Sequence, residues 1–163
     1  MKTKRKVLLI IVALMLMFPV ALPVSAQATQ IDYSGYECPI SPWGEPESFW
    51  ESGNVVHARG VTFAAELVTG NDYVDGINYV VMNYDVNTVT GDVHVYGTAK
   101  LVPYAYSNGY YEGRFSSHWS GLEGWRNSVF HGYGELDGII LSNEGYAMDA
   151  SGCDYFTGRI LIP

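Results

Sequence analysis

The stretch from Asp92 to Leu101, DVHVYGTAKL, decides the fold. Val93, Val95, Gly97, Ala99 and Leu101 take every second position, and Asp92, His94, Tyr96, Thr98 and Lys100 fill the places between. A strand sends successive side chains to opposite faces, so this alternation describes a ribbon with one face on a core and one in water. The same period runs through 111–119, where Tyr111, Gly113, Phe115, Ser117 and Trp119 oppose Glu112, Arg114, Ser116 and His118. It runs again through 130–140, where Phe130, Gly132, Gly134, Leu136, Gly138 and Ile140 oppose His131, Tyr133, Glu135, Asp137 and Ile139.

Working outward, turn-forming residues separate the runs: Asn71-Asp72, Asn87 to Gly91, Ser107 to Gly109, Gly121 to Gly124, and Asn143 to Gly145. Further strands are predicted at about 54–68, 76–85 and 155–162, and no stretch after residue 26 has helical periodicity. Strands joined by short connections form an antiparallel meander, which must close or pair to protect its edges. Gly113, Gly132, Gly134, Gly138 and Gly158 fall inside strand patterns, where glycine weakens a strand unless backbones bend or approach closely. Curvature in a small barrel supplies that reason. The reading is an all-β chain forming a single small antiparallel β-barrel of about eight strands. Residues 53–163 make the barrel, the long strand 54–68 bends near Gly60, and 27–52 forms an irregular segment.

Residues 1–26 read as a signal peptide: basic residues Lys2 to Lys6, an apolar run from Val7 to about Val20, and Val24-Ser25-Ala26 as a small-residue cleavage site. Pro19 and Pro23 interrupt the run and argue against a permanent anchor. Cleavage leaves 137 residues, enough for one domain. Removing Lys2, Lys4, Arg5 and Lys6 leaves five of nine Lys and Arg against seventeen Asp and Glu, a formal net charge of −12. So acidic a chain repels phosphate backbones and anionic lipid, and nucleic acid is excluded as a partner. The expected location is secreted or extracytoplasmic, with no membrane insertion after cleavage.

Cys38 and Cys153 are the two cysteines, near the ends of the exported chain. In such a compartment a lone pair reads as a disulfide, which tethers the N-terminal segment. Closing a loop of 115 residues limits the unfolded chain by roughly 4–5 kcal/mol in the chain-entropy model.

Three segments of the second half carry a family pattern: YEGRFSSHW at 111–119, GYGELDG at 132–138 and FTGRIL at 156–161. Their spacing of glycines and aromatics resembles the last strands of allene-oxide-cyclase-like and dirigent-type β-barrels, closest to uncharacterised secreted bacterial members. The resemblance covers roughly residues 50–163. It implies an eight-stranded, calycin-like barrel whose apolar cavity can hold a hydrophobic small molecule. The catalytic residues of the plant enzymes have no match at positions here, so their activity is not carried over.

The chain lacks G-x-S-x-G, H-E-x-x-H and phosphate-loop motifs, and neither a catalytic residue nor a cofactor is assigned. Gly132-x-Gly134-x-x-x-Gly138 misses a dinucleotide fingerprint by one residue and has no helix after it. His94, His118 and His131 share polar faces. A hairpin centred near Gly124-Trp125 would set His118 opposite His131, but the spacing is not that of a metal site and no metal is expected. Glu135 and Asp137 read as an exposed pair rather than a glycosidase dyad, and Asp85-x-Asn87 as a hairpin turn rather than a calcium loop.

His57 and Arg59 share a period-two register with Val55, Val61, Phe63, Ala65 and Leu67. An inward-facing register would place them at one end of an apolar interior, where charge-assisted hydrogen bonds orient a ligand. The ligand-binding set is therefore His57, Arg59, Phe63, Tyr79 and Trp119. Three classes of function stay open: a barrel binding an apolar small molecule, a cyclase- or isomerase-like enzyme in the same barrel, and a surface module acting through its tyrosine-rich exterior. An outer-membrane barrel would need the reverse orientation, with the valine–glycine faces toward lipid.

Overall fold

A computed structural model describes residues 28–163, so the predicted signal peptide lies outside the described residues. The chain folds into nine antiparallel strands and, among the described residues, no helix. They are β1 (Thr29–Pro39), β2 (Ser48–Ser52), β3 (Val55–Val68), β4 (Gly76–Asn87), β5 (Asp92–Pro103), β6 (Gly109–Ser120), β7 (Glu123–Gly134), β8 (Ile140–Met148) and β9 (Asp154–Ile162). From β3 to β9 each strand pairs with the next, as short turn-rich connections require.

The ring closes through β1. Its length from Thr29 to Glu37 pairs with β9, and Tyr36 to Pro39 pair with Val68 to Ala65 at the end of β3. β1 and β3 to β9 therefore form a closed ring, and β2 runs beside the first half of β3, opposite residues 55–59. The segment 27–52, expected to be irregular, contains β1 and β2; only 40–47 between them is irregular, and it follows β3 through hydrogen bonds such as Gly44 N–H to Thr62 O at 2.8 Å. The disulfide is present: Cys38 on β1 is bonded to Cys153, beside the start of β9, with Cα atoms 4.3 Å apart.

Two boundaries differ from the sequence reading. The run 130–140 is not one strand, because β7 ends at Gly134 and the chain turns through 135–139 before β8. Gly134 and Gly138 both have positive φ, 67° and 82°, and the turn drives Leu136 into full burial across that end of the barrel. Asn143 to Gly145 do not turn; they lie inside β8, opposite Ser128 to Arg126.

The valine–glycine faces point inward. Ala99, Leu101, Tyr111, Phe130, Leu141, Phe156 and Ile160 are buried, while His94, Lys100, Glu112 and His131 are exposed. This orientation is the reverse of the one a lipid-facing reading of those faces needs. No helix among the described residues is long and apolar enough to cross a membrane, which says nothing of a β-barrel.

The interior divides along its axis. At the end closed by Leu136, Val74 and Leu101, side chains pack into a buried core. Rings lie across glycines there: a Cβ on Gly158 would meet the Tyr33 ring at 2.5 Å, and one on Gly113 would meet the Phe130 ring at the same distance. Toward the other end the staves carry Met82, Tyr84, Val86, Val93, Val95, Phe115 and Trp119, and these line an open cavity.

Candidate functional site

The cavity occupies about 550 Å³ at the mouth of the barrel, within the range of small-molecule sites. Its walls come from the inward positions of β4, β5 and β6, and from Met148 at the end of β8. Phe63 and Trp119, both expected in the site, line it; Trp119 is buried and the exposed Trp43 stacks over Phe63 with ring centroids 5.5 Å apart. Thus part of the irregular 40–47 segment forms the rim.

The floor is ionic. Arg126 of β7 sits between Glu37 of β1 and Asp154 of β9: its Nη1 bonds Glu37 Oε2 and lies 2.6 Å from Asp154 Oδ2. Asn78 of β4 donates its Nδ2 to Glu37 Oε1 at 2.7 Å, and deeper in the barrel Ser128 donates to Asn143 Oδ1. These groups lie where the polar atoms of an interior must find partners or cost free energy. Among the described residues, four buried side-chain atoms nevertheless have none: Asn78 Oδ1, Arg126 Nε, Asp154 Oδ1 and, at the packed end, the Tyr111 hydroxyl.

Burial sets the electrostatics of this floor. It pushes Asp154 up to about 6; Arg126 restrains the rise and the neighbouring Glu37 adds to it. For Arg126, burial opposes the charge, but Glu37 and Asp154 outweigh it and hold the guanidinium above its ordinary value. Tyr33, below the floor, is raised by desolvation to about 12. A carboxyl group titrating near 6 inside an apolar cavity can bind a cationic or donor group, or exchange a proton with a ligand near neutral pH.

Three of the expected site residues face elsewhere. The register of β3 shifts between Ala58 and Val61, at Gly60 with φ of 72°. A β-bulge inserts one residue, and one residue reverses the faces. Val61, Phe63, Ala65 and Leu67 therefore point inward as expected, whereas before the bulge it is Ala58 that is buried and His57 and Arg59 that face outward. A side chain at position 60 would strike Glu47, at 2.6 Å from its Cβ, as well as straining the backbone. Tyr79 is out of register too: Asn78 and Val80 are buried and Tyr79 is exposed on the outer face opposite Lys100.

On that outer face His57 and Arg59 make a different cluster. His57 Nδ1 lies 2.6 Å from Asp85 Oδ1, Arg59 donates to the same oxygen at 2.8 Å and to Tyr84 O at 3.0 Å, and Trp50 stacks on His57 with centroids 4.8 Å apart. Partial burial raises Asp85, but the hydrogen bonds from His57 and Arg59 outweigh it and hold the carboxyl below its ordinary value. Arg59 has its partners already, so it needs no ligand.

The histidines also pair differently. His94 faces His118, His118 faces Trp125 and His131 faces Glu112, because the β6–β7 hairpin turns at Gly121-Leu122 rather than at Gly124-Trp125. Among the described residues no three His, Cys, Asp or Glu side chains are placed to hold a metal ion. Asp85-x-Asn87 is a hairpin feature, with Asn87 Oδ1 accepting from the Val89 and Thr90 amides. Glu135 accepts from the Asn108 amide within an exposed turn.

Sequence reading missed the floor, yet signals for it exist. Arg126 shares the inward register of Ser128 and Phe130. Glu37 immediately precedes Cys38 and Asp154 immediately follows Cys153, so joining the two cysteines brings the two carboxylates together.

The fold and cavity define a closed antiparallel β-barrel with an apolar pocket at one mouth. No protein-family model and no curated protein matches the chain.

Proposed function

We propose that this is an exported binding protein for an apolar small molecule, held in the mouth of the barrel. The observation that carries the reading is the cavity of about 550 Å³, walled by Phe63, Met82, Val95, Phe115 and Trp119 above a polar floor. Apolar walls with a few convergent polar groups are the usual construction of a small-molecule site, the walls supplying affinity and the floor orientation. The spacing of glycines and aromatics that resembles allene-oxide-cyclase-like and dirigent-type barrels supports the same reading. The acidic composition and the disulfide agree with an extracytoplasmic location.

The test is titration with a neutral fluorescent probe, N-phenyl-1-naphthylamine, against the oxidised protein and a Val95→Trp variant whose indole fills the cavity. One saturable site in the wild type, lost in a Val95→Trp protein that keeps its near-ultraviolet circular dichroism, is the expected result. Absence of probe binding to the wild type overturns the reading.

A second reading, a cyclase- or isomerase-like enzyme acting on the same ligand, is favoured by one feature. Asp154 lines the cavity and titrates near 6, suited to proton transfer at neutral pH. Turnover of an unsaturated ligand by wild type and not by Asp154→Asn separates catalyst from carrier.

A further inference from the structure

Glu37, Arg126 and Asp154 together hold two carboxylates and one guanidinium, and all three line the cavity. With both carboxylates ionised, the floor carries one net negative charge. Its side chains retain only 8%, 14% and 10% of their surface, so water screens that charge poorly. Nη1 of Arg126 is already shared by both carboxylates, so an incoming carboxylate meets a cation that is neutralised and two like charges beside it.

The unfilled hydrogen-bonding capacity adds to this. Among the fully buried atoms here, Oδ1 of Asp154 and Oδ1 of Asn78 are acceptors without a donor, and Nε of Arg126 is a donor without an acceptor. The Asp154 carboxylate is seated close against the backbone of Gly145, where a Cβ would strike Oδ1 at 2.7 Å, so glycine at 145 lets the carboxylate sit at the floor. Around the floor the wall presents the rings of Phe115 and Trp119, whose faces favour a cation over an anion.

We infer that the ligand of this cavity is a cationic amphiphile, an apolar body ending in a primary ammonium group that docks on Asp154 and Glu37 and supplies the missing positive charge. This rests on the binding reading above and names its ligand class. An inward, free arginine would favour anions, whereas this floor favours cations.

The experiment is displacement of bound N-phenyl-1-naphthylamine by decylamine, decanol and decanoate at pH 7.5, three molecules of one chain length and different heads. Decylamine is expected to bind at least tenfold more tightly than decanol, with decanoate the weakest. Asp154→Asn should bring decylamine to within threefold of decanol. Equal affinities of the three for the wild type, or decanoate binding most tightly, overturns the charge selection while the cavity reading stands. Failure of the probe itself to bind overturns the cavity reading, a separate outcome. The wild-type ranking decides the question even if Asp154→Asn does not fold.

Discussion

The barrel builds an arginine–carboxylate cluster twice, once outside and once inside, and the two behave in opposite ways. Outside, His57 and Arg59 converge on Asp85, with a quarter of the Arg59 and Asp85 side chains in solvent, and the carboxyl is held below its ordinary value. Inside, Arg126 serves Glu37 and Asp154, desolvation dominates, and Asp154 rises to about 6. The ingredients are nearly the same. What differs is how much water remains, because burial penalises the Asp154 carboxylate by more than its share of one guanidinium returns. The outer cluster is a surface ornament that covers Trp50; the inner one is held under electrostatic load.

The largest expected effect tests that load. Arg126→Met leaves Glu37 and Asp154 buried without a cation, and should lower unfolding free energy by about 3–5 kcal/mol, read from the denaturant midpoint at constant slope. A loss no greater than that of Arg59→Met would erase the distinction between the clusters.

Next comes the bond that fixes the inner cluster alone. Replacing both Cys38 and Cys153 by Ser should cost about 2–4 kcal/mol. Because these residues adjoin Glu37 and Asp154, hydrogen exchange should quicken at residues 36–38 and 153–155 while the amides of 57–59 keep their protection.

The third separates the clusters by the sign of their response to pH. Asp154 is raised from 3.8 to about 6, so its contribution to stability is greatest below pH 3.8 and is lost as pH rises through 6. That loss is about 2–3 kcal/mol between pH 4 and 7, and Asp154→Asn should remove it. Asp85 is lowered, so its contribution is present above pH 3.8 and fades as pH falls through its folded value. Asp85→Asn should therefore flatten the acid limb of the stability curve, and only that limb. A common slope for both variants would contradict the comparison.

The smallest effect belongs to the outer arginine. Arg59→Ala should change stability by less than about 1 kcal/mol, as for other partly exposed ion pairs. It should leave binding of the neutral probe unchanged, since Arg59 and the cavity lie on opposite faces of β3.

Most of the barrel is legible in alternation, because inward and outward residues of a curved sheet differ in kind. The segments at 92–101 and 111–119 keep one phase from end to end and became β5 and β6 nearly as read. Strand β3 did not, since alternation gives a phase only up to the next bulge. Gly60 announces a bend, but nothing in the surrounding residues says that the bend contains one extra residue. That single residue moved His57 and Arg59 to the outside. At 134–139 glycine and leucine alternate as in a strand while the backbone turns, because Gly134 and Gly138 adopt φ values that strand residues do not. β1 was illegible for another reason. Its alternation of Ile31, Tyr33, Gly35 and Glu37 is short and polar at one end, and its pairing is entirely with distant strands.

That last property governs how the protein must fold. Thr29 faces Ile162, and Tyr36 faces both Val68 and Tyr155, so closing the ring joins parts of the chain separated by most of its length. Such pairings form late and slowly, on the order of milliseconds to seconds, because loop entropy is lost before contacts compensate for it. Until β1 arrives, β9 and the last residues of β3, Ala65 to Val68, are bare edges able to capture another chain. In the same interval Glu37 is away from Arg126, and the cavity has no floor. Ring closure and completion of the cavity are therefore one kinetic event. A chain arrested one strand short would be open to aggregation and empty of function at the same time.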